Sequence, residues 1–158
     1  MRLWHYKLIP YLPNSQLLAQ WRELNSIFKK QDKHILINYI YEYPKVDLLE
    51  YTLLVIYEMN KRNCKIKSFE NAYMYFQELL CACIFKENYI PNEFIDGFKS
   101  ERNLFTNHHT NGYLKQCFYN LQEKYDRGQK DFTGEMMVRL ENFVKEELGK
   151  DVMPNGEL

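Results

Sequence analysis

QLLAQWREL, residues 16–24, sets the fold class, because its apolar positions recur at helical spacing. Leu17, Trp21, Leu24 and then Phe28 fall on one face and predict a buried stripe. Arg22 and Glu23 follow one another, about 100° apart around a helix axis, and so flank that stripe on opposite sides. They are either the solvated shoulders of a core helix or parts of a site.

Outward from this stretch the pattern stays helical. Asn14 or Ser15 is placed to cap the first helix, which is expected to run to about Lys30. Before it, MRLWHYKLIPYLP (residues 1–13) holds two prolines and no helical period, and reads as an extended arm against the body. KHILINYIYEY is short and almost continuously apolar, and leans to helix. Pro44 stops it, and Asp47 is a plausible N-cap for the mostly buried helix LLEYTLLVIYEMNKRN. Ser68 caps FENAYMYFQELLCACIFK, while residues 87–111 read as a long polar loop. Gly112 to Arg127 is helical, with Gly128 at a C′ position. Residues 133–148 make a last helix with Met137, Leu140, Phe143, Val144 and Leu148 on one side. The expected architecture is all-α, a compact bundle of five or six helices in a single domain spanning 1–158. It carries an acidic helix and tail over 131–158.

Composition agrees with a folded chain of 158 residues: 46% apolar and 16% aromatic, with 6 Gly and 5 Pro. Apolar runs such as LLVIY are far too short to span a bilayer, and the first 30 residues lack a signal-peptide core, so a cytoplasmic protein without membrane contact is expected. In that compartment Cys64, Cys81, Cys83 and Cys117 read as reduced core thiols. On a helix Cys81 and Cys83 point about 200° apart, poor geometry for one metal ion. No cofactor or metal is called for.

The net charge is zero, with 21 basic and 21 acidic residues, which argues against an indiscriminate nucleic-acid binder. Its distribution is uneven. Residues 1–34 hold six bases (Arg2, Lys7, Arg22, Lys29, Lys30, Lys33) against two acids (Glu23, Asp32), whereas residues 131–158 hold seven acids against three bases. A basic N-terminal face can attract a phosphate backbone locally. Chemistry-bearing motifs are few: no Gly-rich phosphate loop, G-x-S-x-G, H-E-x-x-H or C-x-x-C occurs. His108 and His109 read as a solvated loop pair, and His34 as a helix-terminal or half-buried histidine.

The run from QLLAQWREL into NSIFKKQDKHI resembles the core signature of the pyrimidine-dimer DNA glycosylases of the endonuclease V type known from phages. The matching residues are Leu18, Arg22, Glu23, Leu24, Ile27, Phe28, Lys33, His34 and Ile35, without a gap. Looser similarity follows in NKRNCKIK, YIPNEF and NLQEKYDRG, and the opening MRLWHYKLIPYLP is similar to a bacterial branch of that family.

The resemblance implies a DNA-repair glycosylase with abasic-site lyase activity on damaged duplex DNA; the sequence leaves the oligomeric state open, with a monomer expected. Its nucleophile is then the N-terminal α-amine, here that of Met1, and its carboxylate is Glu23. Arg2, Arg22, Lys33, His34 and Lys124 become candidate DNA contacts. The residue types suit the chemistry, since an α-amine has a pKa of about 7.7 to 8.0 and is partly unprotonated at neutral pH. The phage enzymes expose a threonine amine after losing Met. Arg at position 2 implies that Met1 stays here, with one inserted residue in YKLIPYLPN restoring the distance to Glu23. Two other readings stay open on the residues alone: a noncatalytic nucleic-acid-binding module, and a helical protein-interaction module whose aromatic surplus forms an interface.

Overall fold

The computed structural model describes residues 2–31, 33–79 and 102–149. Among these, five α-helices and two 3-10 helices are formed and no strand, so the all-α expectation holds. The α-helices are α1 (Asn14–Lys30), α2 (Lys45–Lys61), α3 (Phe69–Phe76), α4 (Asn111–Asp126) and α5 (Gly134–Leu148). The 3-10 helices are η1 (Tyr6–Tyr11) and η2 (Asn38–Glu42). Helix α1 packs on α2 and α3, α4 packs on α5, and η1 lies between α2 and α5. One continuous apolar core joins them.

α1 buries Leu17, Trp21, Leu24, Ile27 and Phe28, the stripe read from its spacing. Its start differs from expectation. Pro13 occupies the N-cap, and the Ser15 N–H and hydroxyl both go to the Asp131 carboxylate, at 2.6 and 3.0 Å. The cap is thus supplied by a residue 116 positions away, which ties the start of α1 to the loop before α5. The helix ends where Gln31 takes the left-handed conformation (φ 47°) and donates to Ile27 O. Thr110 and Thr133 cap α4 and α5 through their hydroxyls, and Gly128 follows α4 with φ +78°.

Two expectations are corrected and a third is refined. The N-terminal arm packs against the body as expected, but within it Tyr6–Tyr11 forms a 3-10 helix that accommodates Pro10, and most of the segment is buried. KHILINYIYEY is not an α-helix: residues 35–37 form a turn, and Asn38–Glu42 is 3-10. Asp47 is not an N-cap, because Pro44 holds that position. Its buried carboxylate instead accepts from Phe105 N (3.1 Å) and Arg102 Nη2 (3.0 Å), joining α2 to the 102–110 loop. That loop is irregular, as expected, yet buries Leu104, Phe105 and His109. Cys117 is a buried core thiol, whereas Cys81 and Cys83 lie outside the described residues.

His109 departs most from the solvated-loop reading. Its Nδ1 accepts from Tyr6 N (3.2 Å), which leaves the ring proton on Nε2, 2.7 Å from Tyr39 Oη. His5 is held the same way: Nδ1 accepts from Lys7 N, and Nε2 faces the His109 carbonyl at 3.0 Å. Burial therefore holds both imidazoles neutral, lowering the pKa of His5 to about 4 and that of His109 to about 2. An ordinary imidazole titrates at 6.5, so as pH falls below 6.5 the unfolded chain gains protons that the folded chain refuses. Stability should be full above pH 6.5 and fall toward pH 4, by on the order of 3 kcal/mol for each histidine kept neutral. Urea midpoints compared at pH 7.5 and 4.5 check this; His109→Gln should flatten the slope, and an unchanged slope would show that the ring is not buried neutral.

Candidate active site

The N-terminal segment enters the core without a strand partner, so its backbone groups need side chains to bond with. Arg2 N donates to Glu23 Oε2 (3.2 Å), and Trp4 N to Gln20 Oε1 (2.9 Å). Tyr51 Oη donates to the Trp4 carbonyl (2.8 Å) and lies 2.9 Å from Gln20 Oε1. Tyr113 Oη donates to the Leu3 carbonyl, and His109 receives Tyr6 N. At the far end the Arg62 guanidinium, paired with buried Glu58, donates to the carbonyls of Pro10 and Leu12. Residues from α1, α2, α4 and the 102–110 loop thereby fix the register of residues 2–12.

This arrangement opens a cleft of about 280 Å³ lined by Arg2, Trp4, Gln16, Ala19, Gln20, Glu23, Leu36, Asn120 and Lys124. Glu23 is half-buried on α1. Desolvation raises its pKa above the ordinary carboxylate range, opposed by the Arg2 amide and by the charges of Arg2 and Arg22. A carboxyl tuned upward can take and return a proton nearer neutral pH than a solvated glutamate. The Arg2 guanidinium lies 5.8 Å from the Trp4 ring centroid, and its Nη1 is buried with no hydrogen-bond partner. An unpaired buried guanidinium nitrogen on a cleft wall is a donor suited to an anionic oxygen.

Of the residues read as candidates, the cleft gathers Arg2, Glu23 and Lys124. Met1 lies outside the described residues. Arg22 is exposed on the opposite shoulder of α1, in a groove of about 380 Å³ with Leu18, Trp21, Cys64, Lys65 and Lys67. Lys33 is exposed and His34 half-buried in the connection after α1; neither lines the cleft, though their neighbour Leu36 does. The reading missed Gln20. It is fully buried, and its Nε2 donates to Glu23 Oε2 at 3.3 Å while Oε1 holds Trp4 N. The available signal was a carboxamide three residues before Glu23, on the apolar face between Leu17 and Leu24.

Residues 1–71 match the sequence profile described as pyrimidine dimer DNA glycosylase. No curated protein and no solved structure matches the chain significantly.

The geometry makes Gln20 a positioning residue for Glu23. Gln20→Leu leaves Trp4 N–H buried without an acceptor and removes a donor from the carboxylate, so stability should drop by about 2 kcal/mol. The Glu23 carboxyl should also titrate at higher pH than in the parent, as followed by carboxyl NMR. Tyr51→Phe keeps both Gln20 bonds and should lower stability while leaving the Glu23 titration in place. Equal titration curves for Gln20→Leu and the parent would remove Gln20 from this role.

Proposed function

We propose that this chain, which matches the pyrimidine dimer DNA glycosylase profile over residues 1–71, excises damaged bases from duplex DNA and then cleaves the strand as an abasic-site lyase. Its nucleophile in this reading is the α-amine of Met1. The observation that carries the reading is the hydrogen bond from Arg2 N to Glu23 Oε2. That nitrogen is bonded to the Met1 carbonyl carbon, so covalent structure keeps the α-amine within three bonds of an atom touching the key carboxylate.

The neutral amine attacks C1′ of the damaged nucleotide. An N–C1′ bond forms, the C1′–base bond breaks, and its electron pair leaves with the base, which takes a proton. Loss of the amine proton and opening of the sugar ring give an imine. Removal of a C2′ proton then expels the 3′ phosphate, and water frees the amine. Glu23 supports the cationic sugar and carries these protons, which is why a raised pKa serves it. Arg2, through its unpartnered Nη1, and Lys124 of the same cleft hold phosphate oxygens. Arg22 contacts backbone farther along the duplex, beside Lys65 and Lys67, with Lys33 and His34 in the connection after α1.

Pyrimidine dimers are the lesion class that the family description supports. A protein-interaction role has less behind it, because the described cleft is lined by cations and a carboxylate rather than by an aromatic patch.

Borohydride reduction on abasic-site duplex tests the proposal. The parent should form a covalent adduct, and N-terminal acetylation should abolish it by removing the nucleophile. Glu23→Gln keeps the shape but loses the charge and basicity, so DNA affinity should persist while strand cleavage falls roughly 10²-fold or more. An adduct that survives acetylation would assign the imine to a lysine and exclude Met1.

A further inference from the structure

Among the described residues, the most exposed large apolar side chain is Ile35, at 85% of its free accessibility, and Leu36 beside it is 46% exposed. A single exposed isoleucine is ordinary. This pair is not single, and its backbone is held. The His34 carbonyl accepts from Ile37 N (2.8 Å) and Asn38 N (2.9 Å), and Leu36 N donates to His34 Nδ1 (3.2 Å). Ile37 and Ile40 on either side of the following backbone are buried in the core. The chain thus presents two adjacent apolar side chains at the tip of an anchored turn. One of them, Leu36, lines the cleft that holds Glu23, Arg2 and Lys124.

We propose that Ile35 and Leu36 form an apolar wedge that enters the base stack of duplex DNA next to the nucleotide whose sugar faces Glu23. The inference rests on the DNA-glycosylase reading above and adds how the duplex is opened. A sugar inside a stacked helix does not offer C1′ to a group at the bottom of a cleft, so the duplex has to part there. Parting costs stacking, and apolar side chains inserted between base steps take the place of the lost neighbour. An anchored turn is suited to this, because little ordering is left to occur on binding. The surroundings select nucleic acid as the occupant. Lys33 stands exposed beside the tip, and Arg2 and Lys124 stand inside the cleft, so phosphates have cations on both sides of the wedge.

The test uses the full chain and two readouts. In the first, 2-aminopurine is placed beside a tetrahydrofuran abasic analogue in duplex DNA, and its fluorescence reports unstacking on binding. The parent should raise the signal several-fold. Ile35→Ala combined with Leu36→Ala should bind with similar salt dependence but lose most of that rise. In the second, strand cleavage is compared at an abasic site in paired duplex and at the same site inside an unpaired bulge. The double variant should lose about tenfold on the paired substrate and less than twofold on the bulge, which is already open. Ile35→Ala alone, at a side chain with almost no packing to lose, should show the same selectivity to a smaller degree.

Parent-like fluorescence and cleavage by the variants, or equal losses on both substrates, would overturn the wedge. So would variants that change only self-association, which would make the turn a protein contact. A parent that cleaves both substrates without any fluorescence change overturns the wedge and leaves the glycosylase reading standing. If the parent neither binds nor cleaves either DNA, that reading falls and the wedge falls with it.

Discussion

Everything in this molecule depends on how the backbone of residues 2–12 is satisfied inside the core. A buried segment without a strand partner has to find donors and acceptors elsewhere, or it pulls unpaired amides out of water at a cost of about 1–3 kcal/mol each. Here the partners are side chains: Glu23 and Gln20 from α1, Tyr51 and Arg62 from α2, Tyr113 from α4 and His109 from the loop before it. Because these come from elements far apart in sequence, the segment and the bundle specify one another. The same set of bonds brings the Arg2 nitrogen to the Glu23 carboxylate. Holding the fold and assembling the cleft are therefore one task.

The solution sets the protonation states around it. An imidazole that accepts from an amide has to stay neutral, which is what burial imposes on His5 and His109. Tyr51 and Tyr113, both buried and donating to carbonyls of the segment, are held protonated far above neutral pH. Glu23 sits where this neutral interior meets the cleft, so desolvation acts on it from one side and positive charge from the other. Its raised pKa follows from its place at that boundary.

The sequence was most informative where one physical rule dominated. Helices α1, α4 and α5 follow apolar periodicity, and Gly128 follows α4 where expected. It was least informative where long-range bonds override local preference. The start of α1 takes its cap from Asp131, the carboxylate of Asp47 serves a distant loop, and His109 leaves the solvent to receive Tyr6 N. None of these has a local signature. The 3-10 helices defeated periodicity because a buried run of Ile and Tyr looks alike in several backbones. For the site, residue types alone left Glu23 as one of two helix shoulders, and only the family resemblance singled it out. Gln20 carried a readable sign, an amide on an apolar stripe, whose meaning depended on the unseen neighbour Trp4.

Arg22 and Glu23 are adjacent in sequence yet serve different surfaces, because a helix turns about 100° per residue. Glu23 faces the cleft with Arg2 and Lys124, while Arg22 lines the groove with Lys65 and Lys67. α1 is thus a partition between two cation-bearing surfaces, and the turn at residues 35–37 that follows it carries the apolar tip at the cleft edge. The region matching the family, residues 1–71, supplies Glu23, Gln20, Tyr51 and both sides of the partition. Lys124, Tyr113 and His109 come from beyond it. The cleft is composite: the carboxylate and its immediate support lie in the matched region, whereas one wall cation and two of the clamps that keep the N-terminal segment in register lie outside it. Geometry at Glu23 therefore depends on a part of the chain that the family match does not reach.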